Sequence, residues 1–320
     1  MPFYRIQHIT RYTYPAPAID GINQIMLFPI QDAHQEVQNH ELRITNNPSV
    51  EEFFDHFGNK VGIFSLVKPH HELTIRSEIE IFTHTINPPE DVLPATDQWQ
   101  ELSRLQEEFP FMDFLKREIL DSKNDILAML NTLVSKADTP MTVVKRLAEY
   151  IFQTFDYQQG ITSVETSVDE IWKLKAGVCQ DFAHLMLVML RKFDIPARYV
   201  SGYICPKNHD LRGEGATHAW VEAYIPFYGW LGVDPTNNCL VSDRHVRLAV
   251  GRNFSDCTPV KGTYKGSGEH TLEVSVTIEN GVPKSEAEKM ETPVFGYTVK
   301  KEETPLTNSY RQFMEMQMQQ

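Results

Sequence analysis

Residues 177–184, Gly-Val-Cys-Gln-Asp-Phe-Ala-His, begin the stretch of sequence that decides the fold. Gly177 permits a sharp bend, and residues 182–190 are almost entirely apolar, which predicts a buried helix from about Cys179 to Lys192. A thiol in the first turn of a helix faces unpaired backbone N–H groups and the positive end of the helix dipole. Both favour the thiolate, the nucleophilic form of cysteine, so Cys179 is a candidate nucleophile. Taken alone the position is a weak indication, because cysteines near a helix start are more often inert than reactive.

A β-hairpin downstream of this helix supplies two partners for the thiol. Residues 217–225, Thr-His-Ala-Trp-Val-Glu-Ala-Tyr-Ile, alternate with period two, and residues 229–236, Gly-Trp-Leu-Gly-Val-Asp-Pro-Thr, read as the returning strand. A turn centred on Pro226 predicts that His218 and Asp234 lie opposite one another, with backbones ~5 Å apart. The carboxylate can then accept a hydrogen bond from one imidazole nitrogen and leave the other nitrogen for the thiol.

Four segments stand out along the middle of the chain. They read Gly-Val-Cys-Gln-Asp-Phe-Ala-His at 177–184, Ile-Pro-Ala-Arg-Tyr-Val-Ser-Gly-Tyr at 195–203, His-Ala-Trp-Val-Glu at 218–222 and Gly-Trp-Leu-Gly-Val-Asp-Pro-Thr at 229–236. In this order they resemble the bacterial transglutaminase-like family, whose members are often described as candidate cysteine proteases. The resemblance implies an α+β fold with a papain-like core, in which a central helix carrying the cysteine packs on an antiparallel sheet. It assigns a catalytic triad to Cys179, His218 and Asp234, and it requires no metal and no organic cofactor.

The first ninety or so residues read as strands. Residues 10–14 and 73–81 alternate between polar and apolar side chains, with turn clusters between such runs. This part of the chain, including Asp-His-Phe-Gly-Asn at 55–59, is similar to the β-rich module that precedes the core in bacterial members of the family. We therefore predict a β-rich N-terminal module at 1–93, a transglutaminase-like catalytic core at 94–282 and a polar, mobile tail at 283–320.

Composition limits the compartment and the partners. The 320 residues include 43 acidic and 30 basic side chains, giving a net charge of −13 and a pI near 5.4, and no Lys/Arg cluster suggests nucleic-acid binding. Residues 1–8 lack the basic start and apolar run of a signal peptide, and no apolar run reaches the ~18 residues of a membrane span. We expect a cytoplasmic protein without a membrane or nucleic-acid partner, acting on a peptide, a protein or a small amide.

The other three cysteines have a simpler interpretation. Cys205, Cys239 and Cys257 are expected to be buried thiols outside any disulfide and away from the candidate site. None of the cysteines forms a Cys-x-x-Cys pair, and no fourth ligand stands at a suitable spacing, so the sequence does not predict a metal site.

Several polar and aromatic neighbours of the candidate triad are expected to be structural. His184 lies about 140° round the helix from the cysteine, which favours a hydrogen-bonded core histidine. Asp181 is expected to complement the helix dipole and to point away from the thiol. Arg198 is expected to form a structural ion pair, and Trp220 and Trp230 to form walls and core.

An enzyme that transfers acyl groups also needs hydrogen-bond donors for the oxyanion. The backbone N–H of Cys179 at the helix start is one candidate. The second is expected to be a side chain upstream of the nucleophile, within Phe-Asp-Tyr-Gln-Gln-Gly at 155–160, and Tyr157 is the candidate there. A packed aromatic side chain is an equally good interpretation of Tyr157.

Three functions are compatible with these residues. The first is hydrolysis of an amide or peptide bond through a thioester on Cys179. The second resolves the same thioester with an amine and so crosslinks glutamine to lysine, which requires a site that excludes water and orients the amine. The third is a catalytically silent binding module, which the intact set of Cys179, His218 and Asp234 argues against. Hydrolysis is the prediction, because it needs only water.

Overall fold

The computed structural model of the chain describes residues 1–281, except 86, 89, 136, 164, 165, 208–210 and 267, together with the backbone of residues 295–299. The strands are β1 (Phe3–Ile25), β2 (Gln35–Ile44), β3 (Glu51–Phe54), β4 (Lys60–Leu66), β5 (His70–Thr83), β6 (Asp156–Tyr157), β7 (Ala176–Gly177), β8 (Ala197–Ile204), β9 (Thr217–Ile225), β10 (Gly229–Asp234), β11 (Cys239–Leu240), β12 (His245–Gly251), β13 (Val260–Lys265), β14 (Thr271–Asn280) and β15 (Phe295–Val299). The helices are α1 (Ala95–Leu105), α2 (Phe111–Phe114), α3 (Lys123–Leu133), α4 (Pro140–Thr154), α5 (Val168–Leu174) and α6 (Cys179–Lys192), with a 3-10 turn at Phe254–Asp256. This arrangement confirms the predicted α+β fold class. Within the described residues, every helix is too short or too polar to cross a membrane.

The long strand β1 organises the N-terminal sheet. Its residues 4–13 pair with β5 on one side and with β14 on the other, and its residues 22–25 pair with β4 and β13. Strand β2 extends the sheet beyond β5, and β3 extends it beyond β4. The alternation predicted for residues 73–81 appears in β5, where buried and half-buried side chains follow each other in turn.

Strands β13 and β14 differ from their predicted place. The sequence assigned residues 260–280 to the catalytic core at 94–282, whereas the structure places both strands in the N-terminal sheet, hydrogen-bonded to β1. The reason is the apolar face of β14: pairing with β1 sets its Leu272 beside the buried Tyr12 and its Val274 beside the buried Thr10, in the face of the sheet that is turned to the core. Strand β15 pairs with β14, so the segment predicted as a tail at 283–320 contains a strand. The rest of that segment lies outside the described residues.

The predicted core is built on a five-stranded antiparallel sheet with the order β11-β10-β9-β8-β12. Helix α6 begins at Cys179 and ends at Lys192, as predicted, and packs on β9 and β8. Its apolar side chains are buried almost all round because α4 and α5 cover its other faces.

The hairpin of β9 and β10 has a different register from the predicted one. Strand pairing sets Gly229 opposite Ile225 and Val233 opposite Val221, so the turn is centred on Phe227 and not on Pro226. Phe227 adopts a left-handed conformation with φ of 66°, which makes this longer turn possible. By continuation of the register, His218 and Asp234 are therefore not directly opposite one another.

The N-terminal module closes the free edge of the five-stranded sheet at β12. The side-chain amide of Gln35 donates to the carbonyl of Arg247 at 2.9 Å and accepts from the N–H of the same residue at 2.8 Å. The amide of Asn59 makes the same pair of bonds with Val250, at 2.7 and 2.8 Å. Two side chains thus take the place of a neighbouring strand along β12, which satisfies its backbone groups and hides an exposed edge.

Candidate active site

Cys179 is the first residue of α6 and is placed there by the preceding turn. The carboxylate of Asp181 turns back and accepts hydrogen bonds from the N–H of Val178 and from the hydroxyl of Thr162, both at 2.8 Å. A Cβ atom on Gly177 would lie 2.5 Å from that carboxylate, so only glycine fits before the helix. The side chain of Asp181 is thereby held on the helix start, and the backbone N–H of Cys179 has no acceptor within its own helix. Cys179 is only 5% exposed.

His218 and Asp234 form a buried pair. Nε2 of His218 lies 2.8 Å from Oδ2 of Asp234, and both side chains are fully buried. Burial alone would lower the pKa of His218, but the charge of Asp234, the neighbouring Cys179 and the hydrogen bond to Asp234 outweigh it and raise the pKa well above its usual value. Burial likewise acts to raise the pKa of Asp234, but the charge and the hydrogen bond of His218 hold it far below its usual range. The pair therefore favours an imidazolium beside a carboxylate.

The carboxylate of Asp234 is held by several donors. Oδ1 accepts from the backbone N–H of Thr236 at 2.9 Å, and Oδ2 accepts from Nδ2 of Asn237 at 2.7 Å as well as from His218. Nε2 of the buried His245 lies 3.5 Å from the same Oδ2. A carboxylate with this many donors is fixed in direction and stays ionised.

The second nitrogen of His218 is left for the thiol. Nδ1 is buried and has no hydrogen-bond partner among the described residues. Cys179 lies close enough for its charge to be one of the causes of the raised pKa of His218. Because Nε2 is engaged with Asp234, Nδ1 is the nitrogen that can exchange a proton with Cys179. The structure thus brings the three predicted residues together.

Tyr157 lies beside this group. Strand β6 pairs in parallel with β7, which sets Tyr157 next to Gly177, and the tyrosine ring contacts that of Phe182 at 6.4 Å between centroids. A Cβ atom on Gly213 would lie 3.2 Å from Nδ1 of His218 and 3.7 Å from the hydroxyl of Tyr157. The hydroxyl therefore reaches the surroundings of the imidazole, and its role in binding an oxyanion stays a prediction.

Among the neighbouring polar residues, His184 and Arg198 have the structural roles expected of them, and Asp181 differs from the expectation in its pKa. Nε2 of His184 accepts from the N–H of Phe254 at 3.2 Å, and burial lowers the pKa of this histidine to about 4. Arg198 is paired with the buried Glu222 at 2.6 Å. Asp181 caps the helix, but its burial outweighs its two hydrogen bonds and raises its pKa to about 7, so it is not simply an ionised complement to the helix dipole.

Glu222 joins two ion pairs into one network. Its carboxylate also accepts from Arg247 at 3.1 Å, and Arg247 forms a second ion pair with Asp32 of the N-terminal module. The guanidinium of Arg198 lies 4.3 Å from the ring centre of Trp230. The network links the module to the sheet on the side that carries Trp230.

The cysteine predictions need one correction. All four cysteines lie among the described residues, and none is in a disulfide. Cys205 and Cys257 are buried, as expected, but Cys239 is not remote, because β11 pairs it with Asp234. The thiol of Cys239 lies within 4.8 Å of ligand atoms of Asp234 and His245.

These three side chains are nevertheless a poor metal site. Nδ1 of His245 accepts from the N–H of Ser242 at 3.3 Å, so the proton of the neutral ring belongs on Nε2. A metal-binding histidine shows the reverse arrangement, with its second nitrogen donating to an acceptor. His245 is therefore suited to donate to Asp234 and not to bind a cation through Nε2.

Three residues near the site were missed by the sequence reasoning. Asn237 follows Asp234 by three positions, inside the Asp-Pro-Thr-Asn-Asn run, and could have been noticed there. His245 and Gly213 approach the site through strand pairing and a loop, and no local pattern marks either of them.

Comparison with known proteins agrees with this geometry. The sequence pattern of the Transglutaminase-like superfamily matches residues 128–235, and that of the Bacterial transglutaminase-like N-terminal region matches residues 4–81. An uncharacterized protein of Mycobacterium leprae is 34% identical over 277 residues, which cover 86% of this chain and 97% of that protein. The chain therefore belongs to the transglutaminase-like superfamily and carries its bacterial N-terminal region.

Two more distant proteins are similar to parts or to all of the chain. A crystal structure of a candidate cysteine protease from Cytophaga hutchinsonii superimposes with a TM-score of 0.64 at 19% identity, covering 97% of this chain and 94% of that chain, and so shares the fold. A protein-glutamine gamma-glutamyltransferase of Pseudomonas aeruginosa is 41% identical over 73 residues, which are 21% of this chain and 11% of that protein.

Proposed function

We propose that the protein is a cysteine hydrolase that cleaves an amide or peptide bond through a thioester on Cys179. The observation that carries the proposal is the state of His218, whose Nε2 is bound to Asp234 while Nδ1 is buried, without a hydrogen-bond partner among the described residues, and close to Cys179. This is the arrangement that a nucleophile, a base and an orienting carboxylate require.

Acylation uses each of these groups once. The thiol proton moves to Nδ1 of His218, and the sulfur attacks the carbonyl carbon of the substrate. The oxyanion that forms is stabilised by the N–H of Cys179 and by the hydroxyl of Tyr157. The C–N bond then breaks, the amine leaves with the proton held by His218, and the acyl group remains on the sulfur.

Deacylation reverses the proton transfers. A water molecule gives one proton to Nδ1 of His218 and attacks the thioester carbon. The C–S bond breaks, the carboxylic acid leaves, and the sulfur of Cys179 recovers the proton from the imidazole. Asp234 remains ionised in both halves and keeps the imidazole in one tautomer and orientation.

The aromatic side chains near the site support hydrolysis over transfer to an amine. An amine can compete with water only where an apolar channel excludes water and orients the amine. Trp220 is fully buried in a small cluster with Val200 and Val250. Tyr224 and Trp230, next to the turn of the hairpin, pack on each other at 5.5 Å between ring centroids, and both contact Phe111. The candidates for a channel are thus occupied in packing.

Crosslinking of glutamine to lysine is the second candidate. It is favoured by the 41% identity, over 73 residues, with the protein-glutamine gamma-glutamyltransferase of Pseudomonas aeruginosa. Both candidates share the thioester at Cys179 and differ in the acceptor that resolves it.

One experiment separates the candidates. The protein is incubated with a tryptic peptide library or with casein, with and without a biotinylated primary amine, and the products are identified by mass spectrometry. We expect new peptide ends or glutamate in place of glutamine, no net amine incorporation, and loss of all products in Cys179→Ala but not in Cys257→Ala. Amine incorporation faster than hydrolysis would support the transferase instead. If no product forms from any substrate and chloroacetamide does not label Cys179 selectively at neutral pH in the presence of those substrates, the binding module is supported instead.

A further inference from the structure

A short segment lies over the imidazole of His218. Residues 211–216, the cover segment, include Gly213, where a Cβ atom would lie 3.2 Å from Nδ1 of His218. Gly213 and Gly215 both have φ of 77°, a conformation that side-chain-bearing residues rarely adopt. The close approach and the backbone conformation together explain why Gly213 can lie so near the imidazole. Cys179, on the other side of the proposed proton transfer, is itself only 5% exposed.

The cover segment is held in place by Asn237. Oδ1 of Asn237 accepts from the backbone N–H of Arg212 at 2.7 Å, and Nδ2 donates to the backbone carbonyl of Arg212 at 3.2 Å. One side chain therefore engages both backbone groups of the residue that precedes Gly213. An ion pair between Glu214 and Arg244 holds the segment further along.

The same amide also holds the catalytic carboxylate. Nδ2 of Asn237 donates to Oδ2 of Asp234 at 2.7 Å, the oxygen that accepts from His218. The bonds to Asp234 and to Arg212 share one planar group, so the amide cannot rotate to release one partner without disturbing the other.

We propose that Asn237 is a positioning residue that links the cover segment to the orientation of Asp234. A substrate must displace the cover segment to reach Cys179, and Asn237 transmits that displacement to the carboxylate that supports His218. The inference rests on the proposed function, because it assumes that Cys179 and His218 act as a thiol–imidazole pair.

The test measures alkylation of Cys179 and needs no knowledge of the natural substrate. Iodoacetamide, a small reagent, is used from pH 5 to pH 9, and a bulky fluorescein maleimide is used at pH 7, with peptide mass spectrometry to follow Cys179 alone. In Asn237→Ala we expect the midpoint of the iodoacetamide profile to rise by about one pH unit. Without the hydrogen bond from Asn237, the carboxylate of Asp234 is held less firmly toward His218 and stabilises the imidazolium less. The maleimide rate should rise several-fold as the cover segment loosens. The exposed Asn131→Ala in α3 serves as the matched control and should change neither value.

A second variant, Gly213→Ala, tests the same link by changing the cover segment and leaving Asn237 intact. In Gly213→Ala the added Cβ atom presses on His218 and the left-handed backbone is strained, so the cover segment should lift. Both the maleimide rate and the pH midpoint should then move in the same direction as in Asn237→Ala. The proposed link between the cover segment and Asp234 would be overturned in two cases: if the maleimide rate rises while the pH midpoint stays the same, or if neither value changes. Failure of the proposed function would give a different result. If Cys179 and His218 do not act as a pair, His218→Gln should show the same pH profile of Cys179 alkylation as the wild type.

Discussion

Nε2 of His218 lies 2.8 Å from Oδ2 of Asp234, although the strand pairing extrapolates to Asp234 facing Trp220 and not His218 across the hairpin. The two side chains meet diagonally on one face of the sheet, and the direction of the carboxylate is fixed by Thr236 and Asn237. The pairing of histidine and aspartate therefore depends on these supporting bonds as well as on strand register.

Replacing Asp234 by asparagine should separate folding from catalysis. The Asp234→Asn variant keeps the shape of the side chain but removes the charge that stabilises the imidazolium and fixes its tautomer. We expect the hydrolysis rate to fall by about 10²–10⁴-fold with the fold retained. Rates are measured on the peptide library used for the wild type, and folding by circular dichroism. A fully active variant would make Asp234 a structural residue.

His184, which lies in α6, and His218 on β9 should behave differently on substitution. His218→Gln removes the proton acceptor, so we expect hydrolysis and the rapid alkylation of Cys179 to be lost together. His184→Gln replaces the ring that accepts from the N–H of Phe254 by an amide of different shape, so we expect a loss of about 1–3 kcal/mol in the free energy of unfolding with catalysis retained. Activity assays and urea denaturation of both variants check this contrast. Loss of catalysis in a folded His184→Gln variant would contradict it.

Tyr157→Phe tests the proposed second donor to the oxyanion. The ring still packs on Phe182, so the fold should be unaffected, while loss of the hydroxyl should reduce kcat by about 10²-fold with little change in KM. Tyr224→Phe, in which the hydroxyl is lost away from the site, should retain the wild-type kcat. Equal activity of the two variants would leave Tyr157 as a packed aromatic side chain.

Asp181 should make stability depend on pH between about 4 and 7. Burial raises the pKa of this carboxyl to about 7, whereas the unfolded chain ionises it near the ordinary value of about 4. In this window the folded protein binds more protons than the unfolded chain, so its free energy of unfolding falls as pH rises. Asp181→Asn keeps an acceptor for Val178 and cannot ionise. We therefore expect it to be more stable than the wild type at pH 8, on the order of 3 kcal/mol, with a smaller difference at pH 5.

Urea denaturation at pH 5 and pH 8 checks this prediction. Asp97→Asn, an exposed change in α1, is the matched control and should shift neither value by more than a few tenths of a kcal/mol. A difference between Asp181→Asn and the wild type that stays constant across the two pH values would show that Asp181 does not ionise in this range.

The ion network around Glu222 should matter far more than an exposed ion pair. Glu222→Gln removes the charge that compensates the buried Arg247 and the half-buried Arg198, so we expect a loss of about 3 kcal/mol in the free energy of unfolding. Glu72→Gln removes a half-exposed pair with Arg11 and should lose less than about 1 kcal/mol. Urea denaturation at low and high salt distinguishes the two, because only the exposed pair is screened. Similar losses in both variants would contradict the role of burial.

The parts of the site that the sequence predicted are those that local patterns determine. The start of α6 at Cys179 follows from a glycine bend and an apolar run, and the meeting of His218 with Asp234 follows from two alternating strands joined by a short turn. The register was wrong because the turn depends on the left-handed conformation of Phe227, which no propensity predicts for a bulky residue.

The parts that it missed depend on contacts between distant segments. Strand β14 pairs with β1 across more than 250 residues, and an alternating pattern shows a strand without naming its partner. The bonds of Asn237 to Arg212 likewise join two loops, and neither loop has a period from which the contact could be inferred.

The pairing of β1 with β14 also fixes an order of events during synthesis. The first strand leaves the ribosome long before its partner, so the edge of the N-terminal sheet that β14 covers stays open until residue 280 has been translated. The residues of the five-stranded sheet are made in this interval, while that edge can still pair with another nascent chain. For the same reason, a protease that cuts the connection near residues 84–94 would leave two fragments held together by β1 and β14.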